Sequence, residues 1–219
     1  ALNGNGANKA AILTTGNIAL SATSNITVQD STVNAGGTLN ATATNDLNVI
    51  ANSVASSVIS GGLQTISANG ITVQGAASGS NLNAQITGSG GQNITAGSGG
   101  IAILGGIGAA TNGANISNLG TAQTIVVNNA ASVSVVAQTG SAGINSSGSQ
   151  TLTLQGASSA NALTVGAATS ANVSFISGNN QLVTAGTAGQ LGSITVVGGA
   201  AAAMNAGIFN NSGTQTVST

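Results

Sequence analysis

Three side chains carry the acid–base chemistry that this sequence offers. They are Lys9, Asp30 and Asp46, in a chain of 219 residues that contains no His, no Cys and no Tyr. General acid–base catalysis needs titratable groups that act on the same reacting atoms. A glycosidase, for example, holds two carboxyl groups within about 5–10 Å of each other. Whether Asp30 and Asp46 could form such a pair depends on where the fold places them.

The two aspartates are expected to lie apart, each in a turn. Asp30 comes four residues after Ile26, and Asp46 comes directly before Leu47. Ile26 and Leu47 occupy the same place in successive repeats, so the aspartates fall at different positions of the repeat. Ser and Thr are abundant, but no His is present to activate a hydroxyl as a nucleophile. The sequence therefore predicts a protein without catalytic residues that is not an enzyme.

Sites for metals, cofactors and nucleic acids are not predicted either. His and Cys ligands are missing, although a calcium ion held by carbonyl groups and one Asp stays an alternative. The stretch "GNGANKAA" around Lys9 differs from a phosphate loop, because the Lys does not follow Gly and no strand precedes it. A net charge of −1 provides no basic footprint for nucleic acid. We expect no cofactor, no metal site and no nucleic-acid partner.

Membrane insertion is not expected, because the apolar runs are short and interrupted by Gly. The longest are "GGIAILGGIGAA" and "VVGGAAAAMNAGIF", whereas a membrane-spanning helix needs about 20 residues. Charged residues make up only 1% of the chain, against about 25% in ordinary domains. Because a net charge near zero removes the repulsion between molecules, we expect a protein whose role is association.

A short uncharged phrase recurs along the chain in three series. The first series is typified by "QTI". Its apolar residues are Ile18, Leu39, Ile66, Ile94, Ile125, Leu152, Val183 and Val217. The second series, with "ITV" as its type, begins at Ile26, Leu47, Ile71, Ile101, Val133, Leu163 and Ile194. The third and weaker series comprises Val33, Val54, Ile86, Ile116, Ile144, a position near Val173 to Ile176, and Ile208. Each repeat thus holds three short runs.

The runs alternate between aliphatic residues and small or polar residues, which is typical of strands. Gly, Asn and Ser clusters between them supply turns. Three strands per repeat, always in the same order, predict a three-sided parallel β-helix of about seven coils in one domain, residues 1–219. We expect a right-handed coil, from the general preference of parallel crossovers. The second series is its predicted core ladder, and a β-sandwich is the main structural alternative.

Glutamines stand two residues before the inward aliphatic residue of the first series. Because side chains alternate in a strand, these glutamines should share the inward direction or lie at the corner. One coil apart, their amides can bond along the axis as a ladder; the alternative is that Gln merely tolerates a corner. The predicted structural ladder comprises Gln64, Gln92, Gln123, Gln150, Gln181 and Gln215.

Extra residues are found repeatedly between the second and third series. Examples are "QGAASGS", "GGIGAATNG" and "VGGAAAAMN". Because all of them fall between the same two strands of the repeat, they should stack as a seam of loops along one edge.

Residues 16–62 contain the phrases "GNIAL", "STVNAGGTLNATAT" and "NDLNVIA". These resemble the haemagglutinin-type repeats of filamentous exoproteins that Gram-negative bacteria export by two-partner secretion. Residues 63–219 resemble the longer Gly/Asn/Ala repeats of large β-strand-repeat exoproteins of the same class. The chain would thus hold short haemagglutinin-type coils in 1–62 and longer coils in 63–219. The resemblance implies a β-helical fold, export, and an extracellular or surface-attached fibrous shaft, often an adhesin.

Two functions of different class follow as expectations. The first is an extracellular structural protein, a shaft or subunit of a surface fibre, adhesin or biofilm matrix filament. The alternative is an ice- or carbohydrate-binding β-solenoid, since "Thr-x-Thr" occurs at Thr42/Thr44, Thr151/Thr153 and Thr214/Thr216. In that alternative the outward column of the second strand is only partly Thr: Thr27, Asn48, Thr72, Ala102, Ser134, Thr164 and Thr195.

The chain begins and ends within the repeat pattern, at "KAAILTTG" and "QTVST". A β-helix that stops in mid-coil exposes unpaired backbone groups, and soluble solenoids cover such ends with polar caps, charge or Pro. The sequence contains no Pro. We therefore expect each end to be covered by more β-helix, either an identical subunit stacked head to tail in a filament or the continuation of a longer parent chain.

Overall fold

The computed structural model is all-β and describes residues 1–5, 8–129, 131–156, 161–187, 190–199 and 204–219. Within these ranges no helix is present. The first strands are β1 Leu2–Asn3, β2 Ala10–Thr14, β3 Ile18–Ala22, β4 Ile26–Gln29, β5 Ser31–Ala35, β6 Leu39–Ala43, β7 Asp46–Ile50, β8 Ser56–Ser60, β9 Gln64–Gln74 and β10 Ala84–Gly88. They are followed by β11 Gln92–Leu104, β12 Ala114–Asn118, β13 Ala122–Val127, β14 Val133–Val136, β15 Ala142–Leu154, β16 Asn161–Val165, β17 Ser174–Thr187, β18 Gln190–Val196 and β19 Ala206–Ser218.

The strands form three parallel stacks that run along one axis. The first stack holds β3, β6, the first part of β9 and β11, β13, and the last part of β15, β17 and β19. The second stack holds β1, β4, β7, the last part of β9 and β11, β14, β16 and β18. The third stack holds β2, β5, β8, β10, β12 and the first part of β15, β17 and β19. The predicted three-sided parallel β-helix of about seven coils is confirmed; its hand stays a prediction.

The second stack contains the most regular column of the core. Its register joins Ile26, Leu47, Ile71, Ile101, Val133, Leu163 and Ile194 in the order in which the sequence series has them. All are buried except Ile194, which is partly buried. Burying an aliphatic side chain contributes about 1.5–3 kcal/mol. Each buried member of this column therefore stabilises the solenoid.

The alignment of the first series is wrong by two residues at its amino-terminal end. The structure pairs Leu39 with Gln64 and Ala41 with Ile66, whereas the series aligned Leu39 with Ile66. The turns between the third and first stacks set this register, because Gly62 N–H donates to the carbonyl of Gly37 at 2.8 Å. Glycine stacks on glycine there, and the small Ala41 takes the inward place below Ile66.

The third series is also corrected at one position. Val58, not Val54, lies in the inward column between Val33 and Ile86. Val54 is half-buried in the bend before β8. Both valines fit a period of two, so alternation alone could not choose between them. The undecided position near 173–176 is taken by Ile176.

The predicted seam of loops is present between the second and third stacks. Its loops bond directly to each other: Gly140 N–H donates to the carbonyl of Gly106 at 2.7 Å, and Ala171 N–H donates to that of Gln138 at 2.9 Å. In "VGGAAAAMN", residues 200–203 lie outside the described part of the chain. One corner differs from the rest, because the ends of β17 and β18 pair in antiparallel fashion at Gly186/Leu191 and Thr187/Gln190.

Candidate functional site

Asp30 and Asp46 do not come together. Asp46 is the first residue of β7, and its backbone N–H donates to Oδ1 of Asn25 at 3.1 Å. Asp46 is thus a strand residue and not the expected turn residue. Asp30 lies beyond the other end of β4, five residues after Asn25, which corresponds to about 16 Å along a strand. That separation is too large for a catalytic carboxylate pair.

Asp30 instead holds the bend that follows β7 in the next coil. Its carboxylate Oδ1 accepts hydrogen bonds from the backbone N–H groups of Asn52 at 2.7 Å, Ser53 at 2.8 Å and Val54 at 3.0 Å. The residue is 2% exposed and has a φ of 50°. Asp and Asn adopt this left-handed conformation more readily than other residues with a side chain. Asp30 is therefore a structural clasp between two coils.

Replacing Asp30 with Ala is expected to destabilise the protein by about 2–4 kcal/mol, because three backbone donors lose a charged acceptor and Ala is strained at positive φ. Asp30→Asn keeps an oxygen acceptor and tolerates this φ, so we expect a loss of only about 1 kcal/mol. Urea unfolding followed by circular dichroism measures both. Asp46→Ala removes an equal charge at a half-buried position and is the control. Equal losses for all three variants would contradict the clasp.

The glutamines form one column inside the corner between the third and first stacks. From Gln92 onward, each side-chain Nε2 donates to the Oε1 of the glutamine one coil earlier, at 2.6 or 2.7 Å. The rungs in order are Gln64, Gln92, Gln123, Gln150, Gln181 and Gln215. The first five are buried and the last is exposed. Each of the four middle amides, from Gln92 to Gln181, therefore exchanges water for the amides above and below it.

Backbone carbonyls of the third stack accept the second hydrogen of several of these amides. Gln92 Nε2 donates to the carbonyl of Ser117 at 3.3 Å. Gln64, the first rung, donates to the carbonyls of Val58 at 3.2 Å and Thr87 at 3.3 Å. The ladder thus ties the first stack to the third, which a row of aliphatic side chains could not do.

The column continues below the first glutamine as two aliphatic residues. Gln64 pairs with Leu39, and Leu39 pairs with Ile18. The incorrect alignment at Leu39 concealed this change from amide to aliphatic.

Glycine leaves the space beside the ladder that the glutamines need. A β-carbon at Gly178 would lie 2.6 Å from Cβ of Gln150. Gly178→Ala would therefore push against the ladder.

Asn112 is a buried polar residue that the sequence did not single out. Its Nδ2 donates to the carbonyls of Ala76 and Gly79 at 3.1 Å, and its Oδ1 accepts the Leu82 N–H at 3.0 Å. It therefore organises two neighbouring loops of the seam. Its only signal in the sequence is an Asn beside a Gly, which is common in this chain and does not distinguish it.

Chemically, the described residues bring together amides, hydroxyls and backbone groups. They contain no cluster of three or more His, Cys, Asp or Glu that could hold a metal ion. Lys9 is exposed, just before β2. No helix in the described part of the chain is long and apolar enough to cross a bilayer.

Searches with this chain found no matching protein-family model, no similar curated protein and no similar solved structure.

Proposed function

We propose that the chain is an extracellular structural protein, the shaft or a subunit of a surface fibre, adhesin or matrix filament, and that it assembles by coil stacking. The observation that carries this proposal is that the end strands of all three described stacks pair in parallel on one side only, and that two core columns end in exposed aliphatic residues. The resemblance of residues 16–62 to exported filamentous proteins supports the extracellular location. The chain's near lack of titratable groups supports a structural role over a catalytic one.

Two core columns have an exposed end member, one at each end of the described solenoid. Ile12 and Val33 are neighbours in one inward column, yet Ile12 is 39% exposed and Val33 is fully buried. At the other end Val217 is 45% exposed, whereas its neighbour Val183 is fully buried. Ile12 also lines an open cavity of about 230 Å³ at the amino-terminal end of the core. Apolar surface of this kind is stabilised when a further coil covers it.

Further β-solenoid fits these ends better than a globular partner would. An end strand presents unpaired N–H and C=O groups in a row, and another strand satisfies them in register. The covering coil belongs either to a second copy of this chain, stacked head to tail, or to more of the same polypeptide. A head-to-tail contact does not close, so it produces a filament. At a net charge of −1 the molecules repel each other little.

Stacking of copies predicts filaments of the purified chain with an axial repeat of about 34–38 Å, the height of seven to eight coils. Ile12→Asp places a charge in the end contact and should abolish the filaments. Leu13→Asp is the matched control, because Leu13 is the next residue of β2 and points outward, 66% exposed. Electron microscopy and sedimentation measure the outcome.

Two results separate the proposals for the covering coil. A monodisperse monomer at high concentration would exclude stacking of copies. Mass spectrometry of the native material would then have to find these residues within a longer polypeptide. If the native chain is instead a soluble monomer of this length, the structural proposal fails.

A further inference from the structure

The outward side of the first stack carries a regular array of hydroxyl groups, which we call the first face. Two side-chain columns form it, one residue and three residues after the glutamine position. The first column comprises Ala19, Asn40, Thr65, Asn93, Thr124, Thr151, Leu182 and Thr216. The second comprises Ser21, Thr42, Ser67, Thr95, Val126, Thr153, Thr184 and Ser218. Thr occupies four of the eight places in the first column, and Thr or Ser occupies seven of the eight in the second.

The columns lie on a two-dimensional lattice because the strands are parallel and in register. Neighbouring rungs are about 4.8 Å apart along the axis, and alternate residues of one strand are about 6.6 Å apart across it. The eight rungs extend the array over about 34 Å. No register shift falls between the two columns within the paired strands of this stack. The sequence motif Thr-x-Thr did not reveal this array, because Asn and Ser occupy many of its places.

The chemistry of the first face suits a surface of ordered water. Every side chain in the two columns is exposed or half-buried, and none is charged. A Thr side chain presents a hydroxyl and a methyl group from a β-carbon whose rotamers are restricted. The hydroxyls are therefore held at lattice positions at little entropic cost, as in the contact between Thr184 Oγ1 and Ser218 Oγ at 3.3 Å. Charged groups, which organise their own hydration shells, are absent from it.

The other two faces lack this arrangement. The second outward column of the second stack contains mostly large side chains: Gln29, Ile50, Gln74, Leu104 and Val136. The third stack carries Phe175 and Phe209 among its outward residues, and the Phe175 ring packs on the backbone of Gly143. Only the first face has two hydroxyl-rich columns side by side among the residues that the structure describes.

We propose that the first face binds ice. The prism planes of hexagonal ice present oxygen atoms in a rectangular lattice with spacings on the scale of these two repeats. Each contact is weak, but the rigid array makes many contacts at once. The entropy lost when the protein is immobilised on the crystal is therefore lost once for all of them. Because the array lies along the side of the solenoid, this binding does not depend on the end contacts of the proposed function. Single chains and filaments would both bind to an ice crystal through this face.

The purified chain should inhibit ice recrystallisation and produce thermal hysteresis. Thr95→Tyr puts a bulky ring at the centre of the array and should raise the concentration needed for inhibition at least about tenfold, equivalent to about 1.4 kcal/mol of binding free energy. Thr72→Tyr makes the same change on the second stack, at an outward position, and should leave the activity unchanged. Circular dichroism of both variants checks that the fold is kept.

Three results would overturn the proposal. One is the absence of activity in the unmodified chain. Another is an equal loss in the Thr72 and Thr95 variants. The last is retention on crystalline cellulose without any effect on ice, which would assign the array to a polysaccharide surface. The filament assay described above is read separately, so each proposal can fail without the other.

Discussion

Replacing Val135 with Asp is expected to unfold the middle coils of the solenoid. Val135 is fully buried in β14, between Ile103 and Val165 of the neighbouring coils. An ionised carboxylate there would have apolar neighbours above and below, and burying an unpaired charge costs several kcal/mol. Because the total stability of a domain is only about 5–15 kcal/mol, this single change should remove cooperative unfolding. Hydrogen exchange should show the largest loss of protection in β11, β14 and β16.

Ser134→Asp is the matched control for this change. Ser134 is the preceding residue of the same strand and points outward, where water can solvate the carboxylate. Its cost should stay below about 1 kcal/mol, as for most surface substitutions. Similar losses for the two variants would show that Val135 does not lie in a dry core.

Breaking one rung of the glutamine ladder is expected to destabilise the protein more than removing the whole ladder. Gln123→Leu leaves Oε1 of Gln92 without its donor and Nε2 of Gln150 without its acceptor. Each buried polar group that loses its partner costs about 1–3 kcal/mol. We therefore expect a loss of about 2–5 kcal/mol in urea unfolding of the single variant.

Leucine at every rung should restore most of that stability. When both partners of a buried hydrogen bond become apolar, the change can be nearly neutral. The column itself supports this expectation, because Ile18 and Leu39 already occupy the same position in the first two coils. Gln215→Leu is the control for a single bond, since this last rung is exposed and bonds to one other glutamine. A sixfold Leu variant that is less stable than Gln123→Leu would contradict this interpretation.

Much of the fold could be predicted because the strand pattern is strict. In the second series, two aliphatic residues flank one small or polar residue in every repeat, as in Ile71, Thr72 and Val73. This alternation identifies the buried side of a strand. Because the alternation recurs in every repeat, equivalent aliphatic residues of successive coils should stack on one another. The same parity predicted that the glutamines point inward or lie at the corner, since Gln123 and Ile125 are two residues apart.

Register at the first coils depended on contacts that the sequence does not encode locally. A shift of two residues keeps every side chain on the same face. The pattern therefore could not decide whether Leu39 pairs with Ile66 or with Gln64 of the next coil. Stacked glycine turns decided the second arrangement. Val54 and Val58 posed the same ambiguity, and the hydrogen bonds from residues 52–54 to Asp30 resolved it.

The sequence by itself determined the fold class, the three series of strands and the scarcity of titratable chemistry. Composition and parity are properties of the chain, and they need no coordinates. Tertiary structure alone decided which residues stand above one another. It placed Leu39 in the glutamine column, made Asp30 a clasp between coils and aligned Thr, Ser and Asn of separate coils into the first face. The physical reason is that neighbours along the axis are 21 to 34 residues apart in the sequence, and backbone hydrogen bonds between coils set their register.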